Sequence, residues 1–140
     1  MKYYLAYGMN TNLDSMRTRC PKARSLGKVK LPNHRLAFKG VCDILPTPGR
    51  DMECALWTIS SECEKSLDAL EGYPYMYDKK EVKIRYNNQK IHAMIYYMTP
   101  GHRSSHPGKY YLDMVKDGYI DHDMNVDQIY AALEDILEVY

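Results

Sequence analysis

The sequence predicts an α+β fold in which about six strands curl into a small barrel flanked by short helices. Three observations carry that expectation. The chain opens on a strand-like run that stops at Gly8, residues 79 to 98 read as a hairpin, and helical segments interrupt the strands without strict alternation. At 140 residues the chain fits one domain, 1 to 140, able to bury roughly two thirds of its unfolded surface.

Lys2 to Tyr7 is an unbroken aromatic and apolar run, the pattern of a buried strand, followed by a loop from Gly8 to Thr11. Asn12 is placed to cap a short helix with Leu13 and Met16 on one face, ended by Pro21. Lys28 to Leu31, His34 to Lys39 and Cys54 to Ile59 read as strands, separated by turn clusters at Pro32-Asn33 and Pro46-Thr47-Pro48-Gly49. Ser61 and Glu64 have capping-box spacing and open a helix with Cys63, Leu67 and Leu70 on its apolar stripe, which stops at Gly72 with Pro74 beyond. Lys79 to Tyr86 and Lys90 to Met98 form the hairpin across Asn87-Asn88. The Pro-, Gly-, Ser- and His-rich segment from Thr99 to Gly108 is expected as a loop lying over something. A short helix over Lys109 to Asp117 is expected to close at Gly118. A last helix from Asn125 sets Ile129, Leu133, Ile136 and Tyr140 on one face.

Composition excludes several classes. With 45% hydrophobic and 26% charged residues the chain is an ordinary globular one, and no stretch approaches the roughly 20 apolar residues that span a bilayer. The N-terminus lacks the apolar core of a secretory signal, so a cytoplasmic protein, a monomer or weak dimer, is expected. Cys20, Cys42, Cys54 and Cys63 form no C-x-x-C pair and read as reduced packing residues. Residues 1 to 40 carry Lys2, Arg17, Arg19, Lys22, Arg24, Lys28, Lys30, Arg35 and Lys39 against Asp14, while residues 110 to 140 are acidic apart from Lys116. The plainer reading is that these regions face each other or water; the functional one is a basic patch for nucleic acid or an anion. Nucleic-acid binding is not expected, because no recognition-helix pattern or RNA-type aromatic motif accompanies the charges.

Among residues that could carry chemistry, Glu71 stands out. It ends a helix, where the dipole disfavours a carboxylate, and lies about 40° round from Leu67, at the edge of the apolar stripe. Dipole and partial burial both raise a carboxylate pKa toward the range of a general base. The plainer alternative is a frayed, solvated helix end. Gly72, Tyr73, Pro74, Tyr75 and Tyr77 follow, either as turn and core residues or as a pocket wall. In Tyr7-Gly8-Met9-Asn10 a glycine lets main-chain N–H groups converge on an oxygen. His102 and His106 lie on a loop and His34, His92 and His122 read as surface or strand residues, so no metal site is expected. No nucleophile-elbow motif is present, and a covalent mechanism is not indicated.

Taken together, Tyr4-Leu5-Ala6-Tyr7-Gly8-Met9-Asn10 and Leu67-Asp68-Ala69-Leu70-Glu71-Gly72-Tyr73 resemble the γ-glutamylcyclotransferases and their AIG2-like relatives. Pro48-Gly49 before Ala55-Leu56-Trp57 resembles the family's proline-glycine turn and G-x-x-W-type strand, and Pro107 to Gly118 its P-x-x-x-Y-L-x-x-x-x-x-G helix, so the similarity covers nearly the whole chain. The resemblance implies a barrel of mixed strands with a cavity at one end and an intramolecular reaction. In it the glutamyl α-amine attacks its own γ-carbonyl, releasing 5-oxoproline and an amine or amino acid, with no cofactor and no metal. It further implies Glu71 as the catalytic general acid and base. Tyr4, Leu5, Ala6, Tyr7, Gly8 and Met9 fall on the substrate-binding loop, joined in the bottom-up reading by Asn10, and Tyr77 and Tyr111 on substrate-contacting tyrosines. One departure is visible: Met9 stands where the family's Y-G-S-N loop has a serine, adding bulk and removing a hydroxyl. The alternative from another class is a non-catalytic module that keeps the cavity to capture a small metabolite or peptide.

Overall fold

A long hairpin dominates the computed structural model, which describes residues 1–138. Its arms are β2 (Arg24–Lys39) and β3 (Val41–Ile59), joined through Gly40. With β1 (Lys2–Ala6), β4 (Tyr77–Tyr86) and β5 (Gln89–Met98) they make a five-stranded sheet in the order β2-β3-β1-β5-β4. β1 is central, antiparallel to β3 with Tyr4 opposite Trp57, and parallel to β5 with Tyr4 opposite Met94.

The strand count falls to five because Pro32-Asn33 does not end a strand, so two expected strands merge into β2, while Pro46 to Gly49 lies within β3. Both sides of each cluster find the same partner: Pro32 pairs with Asp51 and His34 with Pro46, leaving a wide irregularity in one continuous ladder. Asn33 occupies it at φ 60°, and its Oδ1 accepts from the Gly49 amide at 3.0 Å. The β4–β5 hairpin forms as expected, with Asn87 and Asn88 both at positive φ, as a two-residue turn matching strand twist requires. The sheet curls without closing, so a barrel describes it only loosely. Side chains draw the curl together where ladder bonds do not: Tyr77 donates to the Cys42 carbonyl at 2.6 Å, Asp43 Oδ1 accepts from the Met98 amide at 2.8 Å, and Lys80 Nζ lies 3.1 Å from His34 Nε2.

The helices flank this curl. α1 (Leu13–Arg19) is capped by Asn12, whose Oδ1 accepts from the Ser15 amide at 3.1 Å, and buries Met16. α2 (Ser61–Leu70) is capped by Ser60, one residue before the expected Ser61, through an Oγ contact of 3.1 Å from the Cys63 amide. β3 stays in register through Ile59, so Ser60 is the first residue free to adopt cap geometry. Ser60→Ala is expected to cost about 1 kcal/mol, read as a lower urea midpoint with an unchanged m-value. Leu70, expected on the buried stripe, is 50% exposed, while Cys63 and Leu67 are buried.

α3 (Lys109–Asp121) runs past the stop expected at Gly118. Gly118 is there for contact rather than termination, because a Cβ built on it would stand 2.1 Å from Thr11 Oγ1 and 2.6 Å from the Asn12 amide nitrogen. α4 (Asp127–Glu138) begins two residues after the expected Asn125, whose Oδ1 instead accepts from the Asp127 amide at 3.0 Å. Ile129 and Ile136 are buried and Leu133 packs against the core; Tyr140, assigned to the same face, lies outside the described residues. The loop from Thr99 to Gly108 lies over the end of β2, where Ser105 exchanges main-chain bonds with Phe38 and Gly40.

The expectation of four reduced cysteines is corrected: Cys20 and Cys63 form a disulfide, and Cys42 and Cys54 are free and buried. The end of α1 and the first turn of α2 bring the bonded pair to a Cα separation of 5.3 Å across 43 residues, a proximity no local spacing motif encodes. The basic and acidic regions face each other, as Arg35 meets Asp135 at 2.7 Å and Lys28 meets Asp123 at 3.8 Å. Among the described residues no helix is long and apolar enough to cross a membrane.

Candidate active site

One end of the curl gathers the end of β1, the 3₁₀ turn Met9–Thr11, the ends of α1 and α2, the starts of β3 and β4, Tyr96 of β5 and Tyr111 of α3 around a cavity of about 210 Å³. The backbone explains how Glu71 reaches it. Gly72 takes φ 65°, a left-handed conformation that glycine tolerates, so the Tyr73 amide bonds Asp68 O at 2.9 Å and the Gly72 amide bonds Ala69 O at 3.3 Å. That closure leaves Glu71 as the C-cap, at φ −82° and ψ −2°, on the side of the helix end that faces the cavity.

The Glu71 carboxyl belongs to a directional chain. Arg19 Nη1 donates to Asn10 Oδ1, and Asn10 Nδ2 donates to Tyr4 Oη at 2.9 Å and, at the long distance of 3.4 Å, to Glu71 Oε1. The carboxamide has one permissible orientation, since guanidinium only donates and carboxylate only accepts. Burial raises the Glu71 pKa above the ordinary 4.5, while the charge of Arg19 and the Asn10 contact pull it partly back. Tyr4, Tyr7, Tyr77, Tyr96 and Tyr111 all have raised pKa values, with burial as the largest cause, and so stay neutral phenols. Tyr4 Oη accepts from Asn10, which leaves its hydroxyl proton for another acceptor, whereas Tyr111 Oη accepts from the Cys42 amide at 2.9 Å and also bonds the Cys42 side chain. Burial pushes the Cys42 thiol up to about 12, so it is a protonated wall residue at neutral pH.

Gly8 is needed for close approach. A Cβ there would lie 3.0 Å from both Cys42 Cβ and Tyr111 Oη. The turn it opens is closed by the Thr11 and Asn12 amides bonding back to Gly8 O and Met9 O, both at 3.0 Å. The Met9 and Asn10 amides head that turn, where no earlier carbonyl stands in helical register to accept them.

Of the residues singled out from the sequence, Tyr4, Leu5, Tyr7, Gly8, Met9, Asn10, Glu71, Tyr77 and Tyr111 all line the cavity. Ala6 does not; it is buried in β1 opposite Ala55. The wall also contains Arg19, Val41, Cys42, Leu70, Met76 and Tyr96, which sequence reasoning did not assign to it. Tyr96 lies in the continuous apolar run Ala93-Met94-Ile95-Tyr96, buried throughout, so no alternation distinguishes it, and nothing local marks Arg19. Tyr96 is fixed from behind: its hydroxyl donates to Asp68 Oδ1 at 2.6 Å, and Lys79 Nζ joins Asp68 and Glu64 at 2.9 and 2.7 Å. The same cluster anchors α2 one turn before Glu71.

Elsewhere the histidine assignment needs one correction. His122 is not a surface residue but is buried against Trp57, with Nε2 2.7 Å from Ser25 Oγ, because it follows the end of α3 where that helix meets β2 and β3. Among the described residues no cluster of His, Cys, Asp and Glu has the geometry to hold a metal ion.

No curated protein matches the sequence. Solved structures do share its fold. One named gamma-glutamyl cyclotransferase is 24% identical and superposes with a TM-score of 0.82, covering 92% of this chain and 85% of its own. An uncharacterized protein from Homo sapiens gives 24% identity, a TM-score of 0.80 and the same coverages, 92% and 85%. YkqA from Bacillus subtilis, at 16% identity and a TM-score of 0.79, matches 96% of this chain with 54% of itself. The sequence also matches a family model over residues 4–116, a span that holds the glycine loop, Glu71 and Tyr111. With that match over most of its length, the chain belongs to the gamma-glutamyl cyclotransferase, AIG2-like family.

Proposed function

We propose that the protein is a cofactor-independent cyclotransferase that converts a γ-glutamyl amide into 5-oxoproline and a free amine, with Glu71 moving the proton. The observation that carries this reading is a partly dry carboxyl, held on a helix end beside a glycine turn and among neutral phenols. The nucleophile is the substrate's α-amine, an ammonium ion at neutral pH. Glu71 takes a proton from it, the freed nitrogen attacks the γ-carbonyl carbon, and a tetrahedral oxyanion forms. The Met9 and Asn10 amides and the Tyr4 hydroxyl are donors suited to that oxygen. As the bond to the departing nitrogen breaks, Glu71 returns the proton to it; the attacking nitrogen sheds its second proton on becoming the lactam N–H, and that proton passes by the same carboxylate to the released amine, which departs as an ammonium ion, so Glu71 ends as it began and no water is consumed.

Arg19, the cation of the wall, attracts the α-carboxylate through donors not used on Asn10. Held at both ends, the flexible glutamyl chain folds toward the attack geometry, a gain of proximity rather than of new bonding. Met9 in place of the serine of the Y-G-S-N loop leaves main-chain donors intact and narrows the cavity instead. The test is 5-oxoproline formation by purified protein across γ-glutamyl amides and γ-glutamyl peptides. Because only the carboxylate form of Glu71 accepts the proton, kcat is expected to rise with pH on an acid limb centred above the ordinary 4.5. Absence of 5-oxoproline from every substrate removes the reading, and a flat acid limb removes Glu71 as the base.

A further inference from the structure

Behind the cavity wall lies a cluster of charges. Lys79 Nζ donates to both Asp68 oxygens at 2.9 Å and to Glu64 Oε2 at 2.7 Å, and Glu64 Oε1 meets Lys2 at 2.8 Å. The side chains of Lys79, Asp68 and Glu64 are all mostly withdrawn from water. Ion pairs so placed contribute little to stability over apolar replacements, and their place behind Tyr96 points to another use. Of the wall tyrosines, Tyr7 donates to the Tyr96 carbonyl at 2.7 Å and Tyr77 to the Cys42 carbonyl at 2.6 Å, whereas Tyr96 donates to a carboxylate, Asp68 Oδ1, at 2.6 Å. Burial, then the Asp68 bond, and last the Glu71 charge hold that proton on Tyr96. A hydroxyl whose proton is committed in this way offers only lone pairs to anything else it meets. Asp68 also accepts the Tyr73 amide on its main-chain oxygen at 2.9 Å, in the turn that sets Glu71. One residue therefore grips a phenol on β5 and the helix end on α2.

We infer that Asp68 is a positioning residue for the reaction: anchored by Lys79, it takes the hydroxyl proton of Tyr96, so that Tyr96 faces the cavity as an acceptor only and receives an N–H of the attacking nitrogen while Glu71 takes another. The inference rests on the cyclotransferase reading above. Tyr96 stands next to the working groups, its ring edge-on to Tyr4 with centroids 5.9 Å apart, and Tyr4 shares Asn10 with Glu71. A Tyr96 hydroxyl free to rotate would turn its proton inward toward the Glu71 charge, presenting a donor where the substrate brings donors of its own. Asp68→Asn produces that reversal without changing shape. Its carboxamide oxygen is drawn to the Lys79 ammonium, which only donates, and its NH₂ is left against Tyr96 Oη, which must then accept.

The experiment is a double-mutant cycle on 5-oxoproline release, with kcat, KM and melting temperature measured for the native protein, Asp68→Asn, Tyr96→Phe and the double variant. Each single change is expected to lower kcat/KM by about tenfold or more, and the double variant should fall no further than Tyr96→Phe, because Asp68 acts through the hydroxyl already removed. The N–H that Tyr96 receives stays on the nitrogen throughout attack, so the loss should fall on KM more than on kcat. A merely structural Asp68 gives a different pattern: its loss persists in the Tyr96→Phe background and lowers kcat with the melting temperature. Multiplying losses in the double variant, or native kcat/KM in Asp68→Asn, overturn the inference while leaving the cyclotransferase standing. Tyr96→Phe removes one atom from a packed ring and keeps the test decisive where Asp68→Asn does not fold, since native kcat/KM in that variant also overturns the inference. Release of 5-oxoproline from no γ-glutamyl substrate by the native protein overturns both.

Discussion

Glu71→Gln is expected to lower turnover by about 10²–10⁴ while leaving the protein folded. The substitution keeps volume and the oxygen that Asn10 approaches at 3.4 Å, and removes only the ability to accept a proton. The same change has an opposite effect on stability. The folded-state pKa of Glu71 is raised by burial, so its contribution to stability is full below the unfolded pKa of about 4.3 and is lost as pH rises through the folded value. At neutral pH the native protein carries a partly desolvated charge that the amide variant does not. The melting temperature of Glu71→Gln should therefore exceed that of the native protein at pH 7.5, and the difference should shrink toward pH 4. Full turnover in a folded Glu71→Gln protein sinks the mechanism; a variant less stable at pH 7.5 than the native protein sinks the desolvation account.

Gly118→Ala should be the most damaging of the single-methyl additions. The new carbon would stand 2.1 Å from Thr11 Oγ1, 2.6 Å from the Asn12 amide nitrogen and 2.7 Å from the Thr11 carbonyl carbon, and two of those three atoms are backbone. A side chain can rotate away; these cannot without parting α3 from the turn that precedes α1. Overpacking of this kind costs about 3 kcal/mol or more, a fall in melting temperature on the order of 10 °C for a chain of this size. Activity should fall as well, because Thr11 Oγ1 donates to Gly8 O at 2.7 Å and Asn10 belongs to the same turn. A Gly118→Ala protein with native melting temperature and turnover means that α3 does not press on the loop as described.

The sequence made the site easier to read than the sheet. Glu71 stands out by breaking a local rule, a carboxylate on a helix end before a glycine, and Gly8 by interrupting a strand; both residues line the cavity, and both signals are local in the chain. Arg19, Val41 and Met76 carry no such mark, because they enter the cavity through packing between elements far apart in the chain. The same distinction runs through the fold. The β4–β5 hairpin was legible, since Asn87-Asn88 and two alternating strands settle it locally. Pro32-Asn33 and Pro46 to Gly49 look locally like chain reversals, yet they face each other as one irregularity in a continuous β2–β3 ladder, a pairing that local sequence does not encode. Gly118 was mistaken for a stop for a related reason: from sequence, a glycine that ends a helix and one that admits a neighbour look alike.

The place of β1 in the sheet governs the order of assembly during synthesis. Lys2–Ala6 precedes both of its partners in the chain, Ala55–Ile59 on one flank and Met94–Ile95 on the other. The strand that carries Tyr4 and leads into the glycine turn can therefore pair on its β3 edge once Ile59 has been made, but keeps its other edge unsatisfied until Ile95 follows. Nascent chains arrested before β5 should be captured by chaperones or proteases, whereas release after β5 lets β1 be closed on both sides in the middle of the sheet.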